Sequence, residues 1–235
     1  MDYRTTRSAY LNCEKRIFSG IGEYNIPEMR PVEDMDLEGY EALGFNYAVG
    51  CKHPERYVLH FHLDDYQFER VWNDPNRYLP LLSKFKAVLA PDFSTYEDFP
   101  EAVQIFNTYR KMWCAAYWQE HGITVIPTLN WDTNPEHIWY FDGIPKNSLV
   151  SVSTVGGFKS KATKERWLEG FRRTLDTLQP SKILVFGKLW SEVEESFDGE
   201  FITMDNRNLT RKATLSKHST KNEEDVKDVS EERTD

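Results

Sequence analysis

The stretch Lys86–Leu129, KAVLAPDFSTYEDFPEAVQIFNTYRKMWCAAYWQEHGITVIPTL, decides the fold. Lys86–Ala90 is an apolar run of the buried-strand type, ended by Pro91 and Asp92. Pro100 opens a long helical pattern, Glu101–Glu120, with proline at the favoured first turn. Gly122 follows as its carboxyl cap, and Ile123–Leu129 reads as the next strand. Strand, helix and strand at this spacing form a crossover between parallel strands.

The same alternation extends in both directions. Tyr57–Leu63 precedes the stretch as a strand; Leu149–Val155 and Ile183–Phe186 follow it. Glu41–Val49 can supply a first strand and Glu200–Met204 a last one. Phe68–Phe85 reads as a helix interrupted near Asn73–Pro75, because Pro75 and Pro80 oppose a continuous helix. Lys164–Leu178 carries Trp167, Leu168, Phe171, Leu175 and Leu178 at helical spacing, and Pro180 stops it. The pattern predicts an α/β domain with a mostly parallel sheet of repeated βα units. Six or seven strands leave two architectures open: an incomplete or distorted TIM-like barrel, and an open doubly wound sheet. Residues 1–30 read as an irregular extension and 31–205 as a single domain. Residues 206–235 read as a charged, disordered tail, having too little apolar surface to offset ordering entropy.

Composition narrows the classes. The chain has 235 residues with a net charge of −9, which argues against a protein dominated by non-specific phosphate contacts and leaves room for a local basic patch. Its apolar runs are too short to span a bilayer, and Met1–Tyr10 lacks the apolar segment of a secretory signal. Cys13, Cys51 and Cys114 form no C-x-x-C pair, and so sparse a set fits a reducing cytoplasm. Cys114, inside an aromatic helical stretch, reads as a small core residue.

Parallel α/β folds place ligands at the carboxyl ends of their strands, and residues able to do chemistry follow the strands here. Asp64, Asp65, Asp92 and Asp132 each follow a strand. Asp64, Asp65 and Asp92 as a hard oxygen set would suit Mg²⁺ or Mn²⁺, with Asp132 orienting water; aspartates in such places also cap helices and form turns. Ser153, Thr154, Gly156 and Gly157, with Lys159 beyond, form a turn before a helix. Such a turn can approach an anion or be an ordinary loop, and it lacks the Walker spacing. Arg110 sits in an aromatic stripe of its helix and needs a partner, either a rim aspartate or a ligand anion. Asn130 and Trp131 stand beside the rim, as does Trp139. His60 and His62 form an H-x-H pair on a strand, a pattern that can hold a transition metal.

The strings FHLDDYQFERVWNDP, APDFSTYEDFPEAVQIFNTYRKMWCAAYWQEHGITVIPTLNW, FDGIPKNSLVSVSTVGG and ILVFGK together resemble the family described as domain of unknown function 4417, over about Phe61–Lys188. The resemblance implies a phage or mobile-element protein of the bacterial cytoplasm. It brings no activity and no catalytic residue with it. In that context the expected ligand is phosphate-bearing, a nucleotide or nucleic acid. The enzyme reading is a metal-assisted phosphoesterase or nuclease. The alternative is a binding protein without chemistry, sequestering a nucleotide signal or serving replication or host defence, and a scaffold for a host protein is a further reading.

Overall fold

The computed structural model describes residues 11–32 and 35–204. The expected disordered tail, 206–235, lies outside the described residues. The strands are β1 (Gly20–Ile21), β2 (Ile26–Pro27), β3 (Glu41–Gly44), β4 (Tyr57–His60), β5 (Ala87–Leu89), β6 (Val125–Ile126), β7 (Leu149–Ser153), β8 (Lys182–Phe186) and β9 (Glu200–Thr203). The helices are α1 (Arg70–Asn73), α2 (Pro75–Leu82), α3 (Glu101–Glu120), α4 (Lys161–Leu178) and α5 (Ser191–Glu194).

The protein is mixed α/β with two parallel sheets, β3-β4-β5-β6 and β7-β8-β9. A small antiparallel pair, β1-β2, stands apart from them. In both parallel sheets spatial neighbours are neighbours in sequence. The reversal of strand order that marks a doubly wound sheet is therefore absent among the described strands, and no closed barrel forms among them either.

The first sheet ends at Ile126, short of the expected Leu129: Ala90 N donates to Ile126 O, and the Thr128 hydroxyl donates to Ala90 O. The chain then turns to β7: Thr128 and Ser151 form a parallel bridge, with Ser151 N donating to Pro127 O and Leu129 N to Ser151 O. That bridge joins the two sheets. At β4 the ladder ends at His60, and Leu63 N donates to Phe61 O in a tight turn. β3 likewise ends at Gly44, where Phe45–Gly50 coils into a 3-10 turn.

Side-chain alternation along the strands separates two faces. Leu59, Phe61, Val88, Ala90, Val125, Val150, Val152, Ile183 and Val185 pack into the large core with the helices. Val58, Leu89, Ile126, Leu149 and Leu184 meet in a smaller cluster to which, among the described residues, no helical residue belongs. Contact among five successive strands requires the sheets to curl around that cluster. Helix α3 is buried on every side from Arg110 to Gln119. The amino-terminal segment covers its outer face: Trp113 Nε1 donates to Arg16 O, and Gln119 exchanges hydrogen bonds with the Arg30 backbone.

Candidate functional site

Three successive strand ends and α3 build one partly buried polar chain. His62 lies two residues past β4's His60 and so shares its face. Its Nδ1 is 2.8 Å from Asp92 Oδ2, just past β5. Asn130, past β6, donates Nδ2–H to Asp92 Oδ1 at 2.8 Å. Lys111 of α3 donates to Asn130 Oδ1 at 2.7 Å and to Thr128 O at 3.1 Å. Burial alone would raise the Asp92 carboxyl, but the His62 hydrogen bond and charge, the Asn130 amide and the Lys111 ammonium together hold it below its usual value. Burial pushes the Lys111 ammonium down to about 8 against the upward pull of Asp92. An ionised carboxylate only accepts, so Nδ1 carries a proton, and whenever the ring is neutral the lone pair is on Nε2. That Nε2 is buried without a partner among the described residues.

His60 lies beneath, 1% exposed, with neither ring nitrogen bonded among the described residues. Its ring packs 4.4 Å from Phe186 and 5.8 Å from His62. Burial, with the charge of His62 added, keeps its imidazole well below the ordinary value despite Asp92.

A second chain runs beside the first. Ser94 N and Oγ donate to the Asp65 carboxylate, Asn107 Nδ2 donates to Ser94 O, and Arg110 Nη2 donates to Asn107 Oδ1. Arg110 Nη1 pairs with Glu69, and its guanidinium lies 4.0 Å over the Phe93 ring. This ladder fastens the turn after β4 and the 91–100 loop to α3.

Above the two chains opens a cleft of about 660 Å³ at the carboxyl ends of the strands, lined by residues that include His62, Asp64, Asp92, Asn130, Ser153 and Phe186. Trp131, Trp167 and Tyr96 form one wall. Trp131 meets Trp167 edge to face at 5.1 Å, and Trp167 stacks on Phe171 at 5.0 Å. Two glycines seat this wall. A Cβ at Gly170 would stand 2.0 Å from Trp131 Cδ1, and one at Gly157 2.4 Å from Trp167 Cδ1.

The sequence-predicted residues divide as follows. Asp64, Asp92, Asn130, Trp131 and Ser153 line the cleft. Asp65 is turned onto Ser94. Asp132 is 6% exposed and bonds His137 and the Asn134 N–H, on the far side of Trp131. Gly156 and Gly157 line a second hollow there, with Asp132. Thr154 Oγ1 is turned away to Lys188 O, and Lys159 lies against the Gly156 turn. Among the described residues no three His, Cys, Asp or Glu side chains form a metal-holding group, so Asp64, Asp65 and Asp92 do not assemble as the expected ligand set. Arg110 has a carboxylate partner, but it is Glu69 and not a rim aspartate. Trp139 is buried against Tyr140. Cys114 is fully buried and its thiol is pushed up by that burial.

Sequence reasoning missed Lys111 and Glu69, and it took His62 only as half of a metal pair. The available signal was positional: His62 and Asp92 follow consecutive strands, and parallel pairing brings those ends together.

The family model described as Domain of unknown function (DUF4417) matches residues 18–205, and the chain belongs to that family. It is 37% identical over 180 residues to the "Gene 1 protein" of Mycobacterium phage L5, covering 73% of this chain and 75% of that one. It is 36% identical over 201 residues to the "Gene 1 protein" of Mycobacterium phage D29, covering 80% of this chain and 72% of that one. No solved structure matches. No helix among the described residues is long and apolar enough to cross a membrane.

Proposed function

We propose that this member of a phage protein family binds a phosphate-bearing ligand, a nucleotide or a piece of nucleic acid, in the cleft at the carboxyl ends of its strands, and that His62 serves there as general acid–base. The reading treats β3 to β9 as an incomplete barrel whose mouth is the cleft. Its main support is the His62–Asp92–Asn130–Lys111 chain. A carboxylate on Nδ1 fixes ring orientation and tautomer and leaves Nε2 as the proton-accepting atom, the arrangement general-base histidines require. Among the described residues the near cleft offers carboxylates, amides, hydroxyls and aromatic faces but no lysine or arginine. Such a lining suits the base and sugar of a nucleotide. Its phosphate would lie past the tryptophan wall, towards Arg166 and the Gly156 turn.

The test is tryptophan fluorescence titration with a nucleotide panel, followed by assay of the same panel for turnover. Nucleotide-dependent quenching with turnover that falls by at least about a hundredfold in His62→Gln, binding retained, supports the acid–base reading. One observation favours binding without chemistry: His62 Nε2 is closed to solvent under the cleft floor. Binding without turnover would select that reading. Absence of binding across the panel would end the proposal.

A further inference from the structure

The cleft does not end at its tryptophan wall. Tyr96, Trp131 and Trp167 line both the near cleft and a second hollow of about 360 Å³ on the other side, reached by Gly156, Gly157 and Arg166. Resting on the nucleotide reading above, we propose that the ligand is a single nucleic-acid strand of at least two units, one on each side of the tryptophan pair, with the linking phosphate facing Arg166.

The size of the hollow carries the first step. A terminal phosphate would leave most of it empty, whereas about 300 Å³ is already the volume of a site for a ring-bearing ligand. Its shape carries the second. Trp131 and Trp167 meet edge to face at 5.1 Å, which leaves no slot for a base between the rings. A ligand reaching both sides must therefore pass over the pair, and a flexible chain of stacking units does so where a single rigid ring cannot. Tyr96, 61% exposed at the same crossing, offers a free face to a base, and stacking on such faces tolerates any sequence. Gly157 matters to both sides. Any side chain there would strike Trp167, so the glycine keeps the sill low and the hollow open.

Charge carries the third step. Among the described residues no lysine or arginine lines the near cleft, while Arg166 lines the hollow beside Glu97 and Asp132. Arg166 pairs with Glu97, and both side chains are about half exposed. Exposed pairs of this kind are weak, so a phosphate can take over the guanidinium in a bidentate contact.

Equilibrium binding of mononucleotides, dinucleotides and tetranucleotides of mixed sequence, in both DNA and RNA form, tests the proposal. Affinity should rise at least about tenfold from one unit to two and then level off. Arg166→Ala should lower dinucleotide affinity and leave the binding of nucleosides, which carry no phosphate, unchanged. Equal affinity for one unit and two, with mononucleotides bound, would overturn the two-unit inference and leave the cleft reading standing. Affinity climbing steadily with length, unchanged in Arg166→Ala, would overturn it in favour of non-specific charge attraction. No binding at any length would remove both.

Discussion

His62 and Asp92 meet at 2.8 Å across the ends of two neighbouring parallel strands, thirty residues apart in sequence. Asn130 holds the other carboxylate oxygen, and Lys111 reaches Asn130 from the helix behind. The carboxylate is the hub of this chain. It is the counter-charge of a buried ammonium and the acceptor that fixes a buried ring.

Asp92→Asn should therefore destabilise the fold. An amide can still bond one neighbour, but Lys111 loses its compensating charge. Breaking a fully buried pair costs about 3–5 kcal/mol. Because the Asp92 side chain is 23% exposed, we expect about 2 kcal/mol. Urea unfolding measures it, and a change under about 0.5 kcal/mol would show that the chain contributes nothing to stability.

Arg110 and Glu69 should not be equivalent. The Arg110 side chain is 9% exposed and that of Glu69 36%. Glu69→Ala strands a buried guanidinium, at a cost of about 3 kcal/mol. Arg110→Ala leaves a carboxylate that water can reach, so its cost is chiefly the lost packing on Phe93 and should be smaller. Paired urea melts give the order, and the reverse order would mean that packing outweighs the charge.

The parts of the fold legible in sequence are those fixed by local pattern. α3 was bounded by Pro100 and Gly122, and it forms as Glu101–Glu120, with Gly122 at φ +78°. The βα alternation gave the parallel pairing. What stayed illegible depends on contacts between distant segments. After Ile126 the chain passes from β5 to β7, through a bridge to a strand more than twenty residues away. The aspartates are correctly placed after strands, yet each has a different partner: His62 for Asp92, Ser94 for Asp65, His137 for Asp132. Spacing gives strand ends but not side-chain directions. The Gly156–Gly157 pair read as an anion turn, and Gly157 lies where any side chain would strike Trp167.

Gly170→Ala offers a test in which local and tertiary effects oppose each other. Alanine is the better helix former by about 1 kcal/mol, and α4 is otherwise uninterrupted across this position. Yet the new methyl would stand 2.0 Å from Trp131 Cδ1. Overpacking costs about 1–3 kcal/mol, so the substitution should be destabilising and should shift tryptophan emission. A gain in stability would mean that Trp131 is free to move and that the aromatic wall is not a fixed feature.

The pH dependence of stability should carry the signature of His60. Its imidazole is held well below the ordinary 6.5 by burial, by His62 and against Asp92. The unfolded chain therefore takes up a proton below about pH 6.5 that the native state refuses. Whenever the unfolded state binds more protons, stability rises with pH, so acidification from pH 6.5 downward should lower it, by up to about 1.4 kcal/mol per pH unit. Two other groups act in separate windows. Asp92, depressed from 3.8, adds stability above that value and loses it as pH falls through its lower native value. Lys111, lowered from 10.5 to about 8, makes stability rise with pH between those two values. Between pH 6.5 and 5 neither contributes. His60→Phe keeps a ring in the stack on Phe186 and removes the titrating group, so the difference in slope between wild type and variant reports His60 together with its coupling to His62. Urea midpoints at pH 7.0, 6.0 and 5.0 should fall more steeply for the wild type. Parallel lines would mean that His60 accepts its proton in the native state, which requires an acceptor for a charged ring that the described residues around it do not supply.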